Sequence, residues 1–292
     1  MGTENYRRIP SWLRRPVGER VGRGAPLRAI RDGEIHTVCE EARCPNRGVC
    51  WGVERTATFL LLGPGCSRDC GFCSVRNRPT DVDAGEPTRV ANAAAALGLG
   101  YVVLTSTTRD DLSDGGARHF AAVVAAVKKA LPAAAVEVLV PDFLGSHAAV
   151  EEVAAAGINV FGHNVETVPR LYPRARAQAD YRRSLDILQY AGSLGMVTKS
   201  ALLVGLGETD AEIMKVLEDL AENDVAIVAI GQYLRPGPEQ LPVIRYWTPA
   251  AFENWDTRAR ALGFRGVACG PFVRSSYQAG TLYKTLSSDR RS

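Results

Sequence analysis

Six of the seven cysteines in this 292-residue chain fall between positions 39 and 73, as two triplets: Cys39-x4-Cys44-x5-Cys50 and Cys66-x3-Cys70-x2-Cys73. Thiols gathered this densely either pair with each other or bind metal. Disulfides suit small secreted domains that cannot build a core, and a chain of this length needs no such staples. Structural zinc takes four ligands, usually as close pairs, and each triplet leaves one ligand short. Three thiolates on one short loop instead suit a [4Fe–4S] cubane whose fourth iron stays open, since thiolate is the usual protein ligand of such clusters. An open iron can bind a substrate. Cys269 stands alone among small residues and reads as a buried core thiol.

The elements that would position these loops are legible from periodicity. Short β-branched apolar runs at Thr58–Leu62, Tyr101–Thr105, Val136–Val140, Ile158–Phe161, Val197–Val204 and Ala226–Ile230 read as strands. Between them, helices are expected near Arg89–Leu97, His119–Ala130, His147–Ala155, Tyr181–Leu194 and Asp210–Asn223, with a last one near Pro249–Leu262. Strands joined by single helices run parallel with right-handed crossovers, which leaves a barrel, a partial barrel or a doubly wound sheet. The polar residues favour the barrel, because barrel active sites gather on the loops after strand C-termini. Every strand here leads into such residues: Cys66, Cys70 and Cys73; then Ser106, Arg109, Asp110 and Asp111; then Asp142; then His163, Asn164 and Glu166; then Lys199, Ser200 and Gly205-Leu206-Gly207-Glu208; then Gln232, Tyr233 and Arg235. The expected fold is α/β, a partial (β/α)6 TIM-type barrel over residues 56–264. Residues 1–55 form an N-terminal extension carrying the first triplet, and residues 265–292 a C-terminal extension.

Cys66-Ser67-Arg68-Asp69-Cys70-Gly71-Phe72-Cys73, with an aromatic before its last cysteine and the first barrel strand before it, resembles the cluster motif of the radical S-adenosylmethionine superfamily. The resemblance implies an open iron that chelates the amino and carboxylate groups of S-adenosylmethionine. It also implies one-electron cleavage to a 5′-deoxyadenosyl radical, able to abstract hydrogen from an unactivated C–H bond, which no side chain can do. Cys39-Glu40-Glu41-Ala42-Arg43-Cys44-Pro45-Asn46-Arg47-Gly48-Val49-Cys50-Trp51 is similar to the second-cluster motif of lipoyl synthases. So are His36-Thr37-Val38, Arg109-Asp110-Asp111-Leu112 with Asp114-Gly115-Gly116, Pro141-Asp142-Phe143, His163-Asn164-Val165-Glu166-Thr167, Thr198-Lys199-Ser200, Gly205-Leu206-Gly207-Glu208-Thr209, Gln232-Tyr233-Leu234 and Gly270-Pro271-Phe272-Val273-Arg274-Ser275-Ser276-Tyr277. The resemblance covers about residues 7 to 285. Its departures are Arg68-Asp69, Gly63-Pro64-Gly65 and Thr107-Thr108, and none removes a ligand.

That family likeness implies sulfur insertion at C6 and C8 of an octanoyl chain carried on a lysine of a lipoyl carrier domain. The auxiliary cluster, on Cys39, Cys44, Cys50 and a tail serine, would donate the sulfur and be consumed. Ser276 is the expected ligand, with Ser275 second. A hard oxygen ligand among thiolates is poorly matched to iron and readily released. For S-adenosylmethionine, Asn164 and Glu166 are candidates for the ribose hydroxyls and Lys199 for the carboxylate, while Gly205 and Gly207 let backbone approach it. Each of these also reads as plain structural polarity. Arg109, Asp110 and Asp111 read either as ligands or as a rim ion network. Implied partners are octanoylated carrier domains (2-oxoacid dehydrogenase E2 subunits, glycine cleavage H protein), an electron donor such as flavodoxin or ferredoxin, and an iron–sulfur carrier. The alternatives are sulfur insertion into a different substrate, and a non-catalytic zinc- or cluster-binding protein.

Composition sets outer bounds. A net charge of +3 does not point to nucleic acid, and the Arg-rich Tyr6–Arg31 stretch reads as a basic skirt that includes Glu19. No apolar run approaches the roughly 20 residues that cross a bilayer, and the start lacks the apolar core of a secretory signal. Met1-Gly2 lacks the Ser or Thr that myristoylation wants at the sixth position, where Tyr6 stands. The first 20 residues fit an organellar presequence only in part, so the expected location is the cytoplasm.

Overall fold

The computed structural model describes residues 9–14, 30, 35–41, 46–75 and 78–289. Among them run strands β1 (His36–Thr37), β2 (Thr56–Leu61), β3 (Tyr101–Ser106), β4 (Ala135–Leu139), β5 (Val160–Gly162), β6 (Val197–Val204), β7 (Ile227–Gln232) and β8 (Gly266–Gly270). The helices are α1 (Val38–Glu41), α2 (Arg47–Gly52), α3 (Glu86–Ala96), α4 (Ala117–Ala130), α5 (His147–Ala155), α6 (Tyr172–Ala175), α7 (Tyr181–Ser193), α8 (Asp210–Glu222), α9 (Pro249–Ala261) and α10 (Ala279–Asp289). One sheet holds all eight strands in chain order, β2 to β8 parallel and β1 antiparallel on β2. This is the expected α/β partial barrel.

It extends beyond six units. β8 adds a parallel strand within what reads as a C-terminal extension, because Gly266-Val267-Ala268-Cys269-Gly270 is short, bounded by glycines and carries a single β-branched residue. Helix starts are set by side-chain caps: Ser146 for α5, Asp180 for α7, Thr209 in a capping box with Glu212 for α8, and Thr248 for α9. These caps fix where each polar loop ends.

Strand alternation divides the side chains. Val228 and Ile230 of β7 pack outward with Val216, Leu217 and Trp255, while Ile227 and Ala229 face inward. The C-terminal segment fills the barrel interior. Leu286 packs with Val160, Val197 and Ile227, Ala279 packs with Tyr101 and Val103, and Val273 packs with Ala201, Ala229 and Ala268. Among the described residues no helix is long and apolar enough to cross a membrane.

Candidate active site

Beyond β2 the chain turns through Leu62 and Gly63, both at positive φ (62° and 76°), into the loop of the second triplet. Backbone crowding then dictates its composition. A Cβ on Gly65 would lie 2.0 Å from the carbonyl oxygen of Arg78, and one on Gly71 would lie 2.8 Å from that of Arg174. The loop is held by the neighbouring strand ends. Ser67 donates from both N and Oγ to Thr108 O (2.9 and 3.0 Å), and Thr107 Oγ1 donates to Gly65 O (2.5 Å). Gly71 N donates to Ala175 O, Leu241 N donates to Gly71 O, and Asp69 N donates to Gln178 Oε1, each at 2.8 Å.

At the centre of this mesh is Arg68. Its buried guanidinium makes two hydrogen bonds to Asp110 (2.7 and 2.9 Å) and two to Asp142 (2.6 and 3.0 Å), and Arg183 adds a third bond to Asp142 (2.9 Å). Burial pushes the Asp142 carboxyl up, but the hydrogen bonds and charge of Arg68, with His163 and Arg183, hold it at about 2. Burial likewise works against the Arg68 cation, yet the two carboxylates raise it further above its ordinary value. Arg109 pairs with Asp111 at 2.8 Å and reaches Leu62 O. On this rim, Arg109 and Asp111 form one ion pair, and Asp110 belongs to the Arg68 pair.

The three thiols are half-buried. Burial pushes Cys70 up to about 11 against the opposing charge of Arg176, and it raises Cys73 against the amide of Val75. Arg68 N and Val75 N point at the sulfurs of Cys66 and Cys73, each at 3.4 Å. Such N–H contacts would stabilise the thiolates of a metal-loaded site. Among the described residues no three Cys, His, Asp or Glu side chains converge on a single ion. Three thiols on one loop, with backbone N–H groups aimed at two of their sulfurs, are the donor set a cubane would take, one thiolate on each of three irons.

Beside the neighbouring thiols Cys73 and Cys66, the charges of Arg176 and Glu166 act on Cys70. Glu166 holds a left-handed backbone (φ 65°) and receives Asn164 Nδ2 at 3.0 Å; burial raises its carboxyl, opposed by Arg176 and Asn164. Arg176 donates through Nη1 to Asn164 O (2.8 Å) and Val165 O (3.1 Å), while its buried Nε has no partner. The only signal of Arg176 in the sequence is its place in the arginine-rich run after Glu166. Lys199, the candidate for the carboxylate, is turned into the barrel interior. There Lys199 Nζ sits 2.8 and 3.0 Å from the Glu137 carboxylate, which also accepts from Tyr101 OH at 2.7 Å. Gly205 (φ 116°) is required by packing, since a Cβ would meet Gln232 Nε2 at 2.2 Å. Gly207 meets only Ile244. Glu208 organises this turn, accepting from the Gly205 and Leu206 amides and from Trp247 Nε1 at 2.8 Å.

The first triplet lies on α1 and α2, with Cys44 outside the described residues. Cys39 and Cys50 line a small cavity together with Asn46, Thr56, Thr58, Arg274, Ser276 and Tyr277. Thr56 and Thr58 are inward positions of β2, so the cavity opens on the barrel interior. Asn46 Nδ2 donates to Phe272 O at 2.9 Å, joining the two ends of the chain, and its buried Oδ1 has no partner. The adjacent Ser275 turns away and donates to Asn164 Oδ1 at 3.1 Å. The two candidate serines therefore face different sites. Cys269 is a lone strand thiol, which burial pushes up to about 12.

Residues 60–220 match the profile of the Radical SAM superfamily. The chain is 50% identical over 273 residues to the lipoyl synthase of Rubrobacter xylanophilus, covering 92% of this chain and 85% of that one. It is 52% identical over 281 residues to the lipoyl synthase of Pyrobaculum calidifontis (94% and 96%), and 46% identical over 295 residues to the mitochondrial lipoyl synthase of Schizosaccharomyces japonicus (98% and 78%). Among solved structures it is similar in fold to Streptococcus suis SuiB bound to S-adenosylmethionine (TM-score 0.58, 14% identity, 72% of this chain and 49% of that one). It is also similar to the FeFe-hydrogenase maturase HydG from Carboxydothermus hydrogenoformans (TM-score 0.56, 14% identity, 80% and 66%). The chain spans about half the length of SuiB.

Proposed function

The chain belongs to the lipoyl synthase family of the Radical SAM superfamily, and from that premise we propose that it carries two [4Fe–4S] clusters and inserts sulfur at C6 and C8 of an octanoyl-lysine on a carrier domain. Cys66, Cys70 and Cys73 hold the first cluster; Cys39, Cys44, Cys50 and Ser276 hold the second. When bound, the first cluster with S-adenosylmethionine supplies the hydrogen-abstracting radical, and the second supplies the sulfur.

The protein's own part is placement. Arg68, pinned between Asp110 and Asp142, sets the first cysteine loop against the strand ends. Asn164 and Glu166 offer a donor and an acceptor suited to vicinal hydroxyls, the ribose end of S-adenosylmethionine. Arg176, a buried cation with an unpartnered Nε, suits its carboxylate, the role first read for Lys199. Lys199 instead joins β6 to β4 through Glu137. Gly205 and Gly207, braced by Glu208, offer backbone on the far side. Thr56 and Thr58 and the half-buried Tyr277 wall the second site off within the barrel.

The observation that carries this reading is the meeting of Cys39, Cys50 and Ser276 in one cavity from opposite ends of the chain. Carriers of the E2 and H-protein type, a flavodoxin- or ferredoxin-like reductant, a cluster-rebuilding partner and a cytoplasmic location complete the proposal. The test is anaerobic purification, iron and sulfide counting, then reaction with dithionite, S-adenosylmethionine and an octanoyl-lysyl peptide followed by mass spectrometry. About eight irons per chain, four for each cluster, with 5′-deoxyadenosine and a peptide gaining two sulfurs, are expected. About four irons, or 5′-deoxyadenosine beside an unaltered peptide, overturns the reading.

A further inference from the structure

The two serines of the tail are neighbours in sequence and face different sites. Ser276 lines the cavity of Cys39 and Cys50. Ser275 Oγ donates to Asn164 Oδ1 (3.1 Å), and Asn164 Nδ2 donates to Glu166 Oε1 (3.0 Å). The sense of this chain is fixed chemically. An ionised carboxylate only accepts, so the amide nitrogen of Asn164 faces Glu166, its oxygen faces Ser275, and the serine hydroxyl must donate. Glu166 in turn lies close enough to Cys70 and Cys73 for its charge to act on both thiols.

The segment bearing the serines has little freedom elsewhere. It crosses β7 at Gly231, where a Cβ would sit 2.0 Å from Val273 O, and Val273 packs among Ala201, Ala229 and Ala268. Asn164 is equally fixed, its carbonyl held by Arg176 Nη1 at 2.8 Å. Two rigid pieces therefore meet through one hydroxyl.

We propose that Ser275 is a positioning residue that couples the two sites: its hydrogen bond to Asn164 orients the Asn164–Glu166 pair for S-adenosylmethionine and, in return, binding of S-adenosylmethionine tightens the tail that presents Ser276 to the second cavity. The inference rests on the assignment of the two sites in the proposed function. Coupling between binding equilibria is reciprocal, so it can be read at either end.

The experiment uses the cluster-loaded protein without reductant, so that nothing turns over. Wild type, Ser275→Ala and Ser275→Thr are compared for S-adenosylmethionine affinity by equilibrium dialysis, for iron content, and for hydrogen exchange of residues 271–283 with and without S-adenosylmethionine. Losing one neutral hydrogen bond is expected to weaken S-adenosylmethionine binding about five-fold in Ser275→Ala. The variant is also expected to abolish ligand-dependent protection of the tail while keeping about eight irons; Ser275→Thr, which retains the hydroxyl, restores both. Wild-type affinity in Ser275→Ala, or tail protection that persists in it, overturns the coupling and leaves the proposed function standing. A fall to about four irons in Ser275→Ala makes Ser275 a ligand and overturns it differently. Failure of the wild type to bind S-adenosylmethionine sinks the proposed function and the coupling with it.

Discussion

The two cysteine triplets are neighbours in sequence and are held in place by different parts of the molecule. The loop of Cys66, Cys70 and Cys73 is gripped by the barrel: by Thr107, Thr108 and Asp110 beyond β3, Asp142 beyond β4, Ala175 and Gln178 beyond β5, and Leu241 beyond β7. Cys39 and Cys50 ride on short helices outside the parallel strands, and their cavity is completed by the C-terminal segment through Ser276 and the bond from Asn46 to Phe272. A site built on strand ends is as stable as the core beneath it. One closed by two chain ends can open locally while the barrel stays folded. That is the division of labour the proposed function calls for, with one cluster that would persist and one that would be dismantled and rebuilt.

The largest effect should come from breaking the barrel's grip. Arg68→Ala would leave Asp142, fully buried, without its main cation. Removing one partner of a buried pair costs about 3–5 kcal/mol. Urea denaturation of the metal-free protein should show that loss, with Arg68→Lys intermediate because a single ammonium cannot make the forked contacts. In anaerobically loaded protein the variant should retain the second cluster alone, about four irons per chain, and form no 5′-deoxyadenosine. Loss of both clusters together would mean that the two sites are not independently held.

Acid should discriminate between the sites almost as sharply. His163 is buried beside Asp142, with Nδ1 2.8 Å from Val140 O, an acceptor that places the proton there, and Nε2 3.0 Å from Ser184 Oγ. Burial first, then Arg176, lowers it from 6.5 to about 4. Since the unfolded chain protonates first, folding stability falls as pH drops below about 6.5, and the loss is complete near pH 4. At about 1.4 kcal/mol per pH unit this amounts to roughly 3 kcal/mol. Asp142, depressed to about 2, adds a further loss between about pH 4 and 2. His163→Gln should flatten the upper part of the profile. Hydrogen exchange during acidification should rise first in residues 62–75 and 140–142, ahead of residues 271–277; the reverse order would mean that protonation of His163 and Asp142 does not release the radical loop.

How much of this was legible in the sequence follows the same division. The cysteine spacings and the loaded strand ends mark the first site, because a loop after a strand of known direction has only one place to be. The place of Lys199 on β6 is legible, but its pairing with Glu137 depends on the register between strands, which periodicity does not give. In the pair Arg68-Asp69 the departure from the motif is at Asp69, and nothing in the sequence marks Arg68 as the loop's anchor. The tail was harder still. β8 is too short and glycine-rich to announce itself, and nothing local says that Ser275 and Ser276 point to different sites. That difference exists only once Gly231 lets the tail cross β7.

The smallest expected effect tests the second site most cleanly. Asn46→Ala removes the bond to Phe272 O, and it also removes a buried carbonyl oxygen that has no partner. The first loss costs about 1 kcal/mol and the second change offsets part of it, so overall stability should move by less than about 1 kcal/mol. Yet the bond joins α2 to the tail. Exchange protection of residues 271–277 should therefore fall, and iron in the second cluster should be lost preferentially on exposure to a chelator, while the formation of 5′-deoxyadenosine at saturating S-adenosylmethionine is unchanged. If Asn46→Ala leaves tail protection and chelator resistance as they were, the cavity is held by the helices alone, and the contrast between a barrel-built site and an end-built one no longer holds.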